Sequence, residues 1–546
     1  MNLRFVAAAC ALWTLTHCTP ESTAGGAPGS GPLAQAAIPA SVAPGKRVYD
    51  RACAACHASP SDARTPTFSA LAALPADTIR DAMREGGKMA PMAASLSEAE
   101  KEQLVAFLTY GQVGVDADWT AKIMCAADNR QVDVDGLLVS NGFSVDRDQT
   151  RSLSAAQAGL TKAALRSLET AWVLAFPGQG SGTGAAILGD TMFVTGGGFL
   201  LALDTARGCA RWVVRGSSRN TPTIGELDGR KVVAVSVAND VLVVDAKTGA
   251  KVWQANGQST DNPGIIRGGV AIHDQKVIVP ISSSGVVAAQ TNSFECCEGH
   301  GAVVALSGKD GAKLWEYHTM PKATYNGKVS SIGVRQRGPS GAPIWSFPLI
   351  DEKRNRVIVT TGENTSHPAT DTSDAIIALD LATGREVWKF QAMASDVWNM
   401  SCTSSRFLSG PNCPWNIAGD LQLGRDFDFG AGALLTKTAA GAEVLLTGQK
   451  SGDVFALDPA TGKKLWSAHF GVGGAMGGVH WGVTTDGGRV FAAINDPVIY
   501  PGTVIKPGVY AADIATGKQV WAYAARASCG APRNSQGLNC TGKFGF

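Results

Sequence analysis

An all-β propeller carrying a small all-α domain at its N-terminus is the fold class this sequence predicts, and three observations carry it. A hairpin motif, in its fullest form G-D-V-F-A-L-D-P-A-T-G-K-K-L-W at 452–466, recurs through the C-terminal two-thirds. Its copies end at Trp212, Trp253, Trp315, Trp388, Trp466 and Trp521, each with a glycine four residues earlier, and an acid four before that except at Ser307. A separate cysteine-bearing stretch with helical patterning lies ahead of all the repeats, around residues 45–111.

Each copy reads as one hairpin. Val454 to Leu457 is apolar and β-prone, Asp458 to Gly462 supplies a turn with glycine where a positive φ is needed, and Leu465 and Trp466 resume the second strand. A hairpin with one tryptophan cannot bury its own face, so repeated hairpins stack on each other. The interval from Trp212 to Trp253 fits one plain four-stranded blade, whereas that from Trp388 to Trp466 is nearly twice as long. The surplus predicts long loops gathered on one face, and function is expected there.

Composition narrows the class. With 546 residues, 45% hydrophobic and 17% charged, the chain can bury a large core and a second domain. A net charge of +2 without long basic runs argues against nucleic acid as the main partner. Arg4, the apolar run from Phe5 to Thr16 and the small residues that follow read as an export signal over 1–24, too short for a transmembrane span. His17 before Cys18 departs from a lipoprotein site. Export predicts disulfides: Cys402 with Cys413, Cys529 with Cys540, and Cys296 with its neighbour Cys297. Cys125 and Cys209 are either a long-range pair or two buried thiols.

After a Gly, Ala, Ser and Pro-rich linker at 25–44, the domain at 45–111 opens with Cys53, Ala54, Ala55, Cys56 and His57. C-x-x-C-H is the attachment sequence of haem c, with two thioether cysteines a helical turn apart and the histidine as proximal iron ligand. Further on, Gly86-Gly87-Lys88-Met89-Ala90-Pro91-Met92 precedes an amphipathic helix from Glu98 to Tyr110. Met89 is the expected distal ligand and Met92 the alternative. Residues 111–171 read as a linker with one helix between Ser154 and Leu168, inside a propeller domain assigned to 112–546.

Chemistry-bearing residues cluster in successive long intervals. Glu295-Cys296-Cys297-Glu298 comes first, where a disulfide between neighbours would close a strained ring of the kind found at functional sites. Trp345 lies outside the repeat register, and Thr361-Gly362-Glu363-Asn364 ends the following strand. The longest interval holds Asp396-Val397-Trp398-Asn399 and then Arg425-Asp426-Phe427-Asp428-Phe429. Asp426 and Asp428, two apart on an extended strand, would face one side, as suits a base beside a bound cation. Lys450 opens the reference hairpin, and His480-Trp481 sits in the last long interval.

The motifs C-A-A-C-H, E-C-C-E-G-H-G-A-V-V-A-L, G-P-S-G-A-P-I-W, T-G-E-N-T-S, S-D-V-W-N-M-S-C, R-D-F-D-F-G and G-G-V-H-W-G make the chain resemble the quinoprotein alcohol dehydrogenases, and among them the cytochrome-containing polyvinyl alcohol dehydrogenases. The resemblance runs from about Cys53 to the C-terminus. It implies a propeller holding pyrroloquinoline quinone (PQQ) near its axis, Ca²⁺ as Lewis acid, and one covalent haem c receiving electrons. It also implies that the Cys296–Cys297 ring covers one face of the quinone and Trp345 the other. Glu363 or Asn364, with Asp426, would ligate calcium, and Asp426 would be the general base, with Asp428 and Asp396 as alternatives. Lys450 and Arg267 would bind quinone oxygens or carboxylates, and His480 or Trp481 would line the site. The vicinal cysteines stand where relatives often carry a glutamate ligand, with Glu295 and Glu298 as weak substitutes.

Such a protein would oxidise secondary alcohols in the periplasm, polymeric ones included, and pass electrons to a periplasmic cytochrome or another acceptor. The family propeller is eight-bladed, and 25 residues after Trp521 (521 to 546) are too few for another blade, so the expectation is a C-terminally incomplete ring. The competing readings are a cofactor-free envelope scaffold and a haem electron carrier with an inactive propeller.

Overall fold

In the computed structural model six antiparallel sheets follow one another along the chain, at 186–215, 223–256, 265–318, 349–391, 434–469 and 483–524. Residues 42–525 are described, apart from 59–64, 67, 73, 75, 85–86, 110–118, 177–183, 216–219, 404–405, 418–423 and 497–505. The export signal, Cys18, the Cys529–Cys540 pair and the tail after Ala525 therefore lie outside the described residues. Each sheet is one blade of four strands in sequence order, and the third gains a short extra strand, Ile265–Ile266. Successive blades share apolar cores: Val233 and Val235 pack with Phe193 and Leu200, Val277 and Val279 with Val232 and Val241, and Val490 and Ile494 with Leu446 and Val454. No helix among the described residues is long and apolar enough to cross a membrane.

The repeat register has a cause that lies between blades. In every copy the acid caps the turn, as where the Asp380 carboxylate accepts from the Thr383 amide (2.8 Å) and hydroxyl (2.7 Å). Ser307 does the same with its hydroxyl, toward the amide of Lys309 at 3.3 Å. The glycine lies under the tryptophan of the preceding blade, and that indole donates to a carbonyl nearby: Trp212 to Ala246, Trp253 to Gly308, Trp315 to Leu381, Trp388 to Pro459 and Trp466 to Ile514. Trp172, ahead of the first blade, does likewise to Thr205. Gly384 has φ +72°, and a Cβ there would stand 2.4 Å from the Trp315 ring. Gly384→Ala is therefore expected to lower stability by about 2–4 kcal/mol, from the left-handed backbone and displacement of the indole together. Urea unfolding checks this, with a lower midpoint at unchanged slope.

Because strands alternate in direction, the turns between third and fourth strands fall on one face of the propeller. The connections between second and third strands, and from each blade to the next, fall on the other. That second face receives all the long insertions: 283–301, 319–348, 361–374, 392–433 and 470–482.

Residues 111–171 are more than a linker. Leu138–Ser140 adds a strand inside the innermost strand of the first blade. The chain then crosses the axis: the Asn141 side chain joins Ile224, Gln149 donates to the carbonyl of Pro348, the Leu435 amide donates to Asp148, and the Thr484 hydroxyl donates to the carbonyl of Thr150. The helix expected between Ser154 and Leu168 is only Ala155–Ala158. Gly159, left-handed at φ +64°, ends it, and a 3-10 turn, Ala164–Arg166, follows. Cys125 and Cys209 are joined, as are Cys402 and Cys413.

At the N-terminal end, helices Ala43–Ala52 and Glu98–Leu108 pack around Val48, Tyr49, Leu104 and Val105. A capping box of Ser97 and Glu100 starts the second of them.

Candidate active site

The insertions of the long-loop face bring the predicted residues together around one buried lysine. Lys450 Nζ donates to Asp426 Oδ1 at 2.8 Å and to Asp428 Oδ2 at 3.0 Å, all three side chains being buried. Asp428 is saturated: its Oδ1 accepts from the Glu363 amide at 2.8 Å, and its Oδ2 also accepts from Trp345 Nε1 at 3.2 Å. Gly362 allows this approach, since a Cβ there would lie 2.0 Å from Asp428 Oδ1.

The two aspartates converge for a different reason from the one expected. Residues 424–430 form no strand, and Asp426 has a left-handed φ of +56°. The segment is held instead by Asp396, whose Oδ1 accepts from the amides of Arg425 (2.6 Å) and Asp426 (3.1 Å) and whose Oδ2 accepts from that of Phe427 (2.9 Å). Asp396 is thus occupied as an anchor. Phe429 is fully buried and packs edge-on against Phe455, with ring centroids 5.7 Å apart.

The electrostatics separate the acids. Burial and the neighbouring Asp428 push Glu363 well above the carboxylate range, and burial pushes Asp426 the same way against the pull of Lys450. For Asp428, burial is outweighed by Lys450 and the Glu363 hydrogen bonds, which bring it down to about 2, so it stays ionised. Lys450 is raised by the aspartates despite burial and stays cationic.

Oxygen atoms of Glu363, Asp426 and Asp428 lie close enough to share one metal ion. Glu363 Oε2 is buried without a hydrogen-bond partner. Three buried carboxyl groups with an orphaned oxygen among them fit a hard divalent cation, whose charge would favour their ionised forms. Asn364 does not join them. Successive residues of an extended chain face opposite ways, and its side chain is used by Thr370 (N–H to Oδ1, 2.9 Å) and the Ser340 carbonyl (3.2 Å).

The predicted ring and indole both contact the segments that carry the carboxylate set. Cys296 and Cys297 are joined to each other and fully buried. Asn399 Nδ2 ties them to the site, 3.6 Å from Cys296 Sγ and 3.0 Å from the carbonyl oxygen of Thr365, two residues beyond Glu363. Trp345 lies edge-on to Trp481 at 6.0 Å and 6.1 Å from the His480 ring, with Lys450 Nζ 5.7 Å from its centroid. Burial, then Lys450, lowers His480 to about 4, so the ring is neutral, and its Nδ1 has no partner. Arg267 is exposed, and the residue after it, Gly268, packs against the Ser346 carbonyl beside Trp345. Glu295 and Glu298 are drawn outward to Arg335 and Arg337, away from any metal role.

Sequence reasoning missed Asn399 and Asp374. Asp374 is fully buried and neither carboxylate oxygen has a hydrogen-bond partner; burial, then Asp396, Asp428 and Asp426, push it well above the carboxylate range. The signal for it was an acid set directly before the apolar strand Ala375–Asp380.

In the helical domain, His57 is buried with Nδ1 2.8 Å from the Pro66 carbonyl oxygen, leaving Nε2 for a metal. Met89 is half-buried in the core that holds Cys53, whereas Met92 is 63% exposed.

Comparison with known proteins bears on the family and the fold. A PQQ-repeat family described as outer membrane protein assembly factor BamB matches residues 160–388 and 450–540, and one described as cytochrome c oxidase, cbb3-type, subunit III matches 40–108. The chain is 32% identical over 509 residues to a polyvinylalcohol dehydrogenase of Sphingopyxis sp. (strain 113P3), covering 89% of this chain and 76% of the relative. It is 30% identical over 505 residues to a polyvinylalcohol dehydrogenase of Pseudomonas sp, covering 88% and 76%. Among solved structures, a europium-containing methanol dehydrogenase shares the fold at 14% identity, with a TM-score of 0.50 over 70% of this chain and 78% of that one.

Proposed function

Because the chain belongs to the polyvinyl alcohol dehydrogenase family, we propose that it oxidises secondary hydroxyl groups, those of vinyl alcohol polymers included, with PQQ and haem c as its redox groups and Ca²⁺ as its metal. The observation that carries this reading is the buried set of Glu363, Asp426 and Asp428 around Lys450, with Trp345 bonded to Asp428.

When bound, PQQ would supply a hydride acceptor, Ca²⁺ a Lewis acid and haem c an electron carrier. Asp426 takes the hydroxyl proton. Burial raises its proton affinity, against the pull of Lys450, which fixes its orientation through Oδ1. Glu363 and Asp426 supply oxygens to the cation, and Asp428 holds Lys450, Trp345 and the Glu363 amide in place. Lys450, the unpartnered His480 Nδ1 and Arg267 supply rim donors for quinone oxygens and carboxylates. Trp345 and the disulfide supply apolar faces, with Trp481 at the entrance.

Cys53 and Cys56 would bind haem covalently, with His57 and Met89 as iron ligands, in a domain of residues 45–111 ahead of a propeller at 112–546. The three disulfides of the described residues and the N-terminal stretch that reads as an export signal support a periplasmic site of action, where the acceptor is a periplasmic cytochrome or another electron acceptor.

The test is turnover of several alcohols by protein supplied with PQQ and Ca²⁺, read as growth of the reduced-haem absorption band. Reduction by secondary alcohols is expected; protein that retains no PQQ and reduces no haem would instead be a binding scaffold. Cys53→Ser is expected to lose the covalent haem stain of the denatured chain that wild type retains. An unstained wild type would remove haem from the scheme.

A further inference from the structure

On the same face as the active site, toward the rim between the third and fourth blades, lies a cleft of about 620 Å³ that the reading above does not use. Its inner wall is the pair His300 and His318, with Nε2 and Nδ1 2.8 Å apart. Burial, then the neighbouring His318, lowers His300 to about 4, so that ring is neutral. The lysines of the walls are shared among the acids there, Lys389 with Asp371 at 2.9 Å and with Glu386 at 3.7 Å, and Lys322 with Asp261 at 3.8 Å. Three acids against two lysines disfavour an anionic ligand. Neutral hydroxyl groups would meet hydroxyls that already bond within the walls, Thr260 to Glu316 at 3.1 Å, Thr372 with Thr370 at 2.9 Å and Tyr317 to Glu386 at 2.7 Å, and whose oxygens keep a lone pair for a ligand's donor. Between these polar groups, Met320, Pro321 and the Tyr317 ring offer apolar surface.

The floor of the cleft joins the active site through one hydrogen bond. The Thr361 hydroxyl donates to the Thr372 carbonyl at 2.6 Å, and Thr361 stands two residues before Glu363. A ligand lying in the cleft is thus within one strand of the carboxylate set.

We propose that this cleft is a remote subsite for the substrate chain, binding a 1,3-polyol through alternating hydroxyl contacts to His318, Thr260 and Thr372 and methylene contacts to Met320 and Tyr317. It rests on the reading of the chain as a polymeric-alcohol dehydrogenase. Contacts made away from the reacting hydroxyl hold the polymer while the enzyme acts at one carbon, so affinity rises with chain length where a short diol gains nothing.

The experiment is calorimetric titration of a short vinyl alcohol oligomer into PQQ-loaded, haem-containing enzyme, reduced and without an electron acceptor, so that no turnover competes. Poly(ethylene glycol) of equal length, which has ether oxygens but no hydroxyl groups along its chain, is the control. Wild type is expected to bind the oligomer and not the control. His318→Ala and Thr260→Trp, the first removing a donor and acceptor and the second filling the mouth, are each expected to weaken binding about tenfold. Either variant suffices if the other melts early. Unchanged affinity in the folded variants, equal binding of both polymers, or no binding at all by wild type would overturn the subsite. Haem reduction by a short secondary diol is measured in parallel: its absence with oligomer binding intact would sink the proposed reaction and leave the subsite standing.

Discussion

Asp426→Asn is expected to keep PQQ and haem at wild-type content while lowering alcohol turnover by roughly 10²–10⁴-fold, the usual worth of a general base. The substitution preserves shape and most hydrogen bonding, including an oxygen for Lys450, which stands 2.8 Å from Asp426 Oδ1. What it removes is the proton acceptor. Asp428 is a poorer base because Lys450, Trp345 Nε1 and the Glu363 amide already occupy its oxygens and it lies at about 2. Asp396 spends its carboxylate on three backbone amides. Asp396→Asn should therefore impair turnover by loosening the 425–427 segment and should raise cofactor loss together with KM, a signature that a missing base does not give. Near-wild-type turnover in Asp426→Asn, with the full loss in Asp428→Asn instead, would move the base to Asp428.

The second large effect concerns stability. Lys450→Gln leaves Asp426 and Asp428 buried without their ammonium, and breaking a buried ion pair from one side costs about 3–5 kcal/mol. If a divalent cation occupies the same carboxylates, its charge should replace part of that loss. Urea unfolding in chelator should show the full deficit of Lys450→Gln against wild type, and excess Ca²⁺ should narrow it by raising the variant more than the wild type. Equal stability of the two proteins in chelator would show that the lysine does not offset those charges.

The repeat was legible in sequence because it is local: a tryptophan, a glycine four before it and an acid four before that. What could not be read was why the glycine is there. A positive φ accounts for half of it; the other half is the indole of the previous blade, as with Trp315 over Gly384, and that neighbour lies 69 residues away (384 minus 315). The site was legible as a set of residue types, because unusual acids, cysteines and tryptophans sit in the long intervals. Their geometry was not. Alternation along a strand suggested the pairing of Asp426 with Asp428, yet a left-handed residue and a buried lysine bring it about. The same alternation, applied to Glu363 and Asn364, would have separated them and predicted which one faces the carboxylates. Asp374 and the crossing chain at 141–151 escaped notice because their neighbours come from blades far along the sequence, and no local pattern marks such a meeting.

The chain that crosses the axis also constrains the order in which the protein can be made. Thr484 bonds back to Thr150 across 334 residues, and Gln149 to Pro348 across 199. Contacts of such separation form slowly and late, because the intervening chain must first be brought to heel against its own entropy. Residues 141–151 leave the ribosome before any blade exists, and their partner Thr484 in the sixth blade follows 334 residues after Thr150. Until then the strip is held only through earlier partners at Ile224, Pro348 and Leu435, so the centre of the propeller is fully seated only when the sixth blade is present.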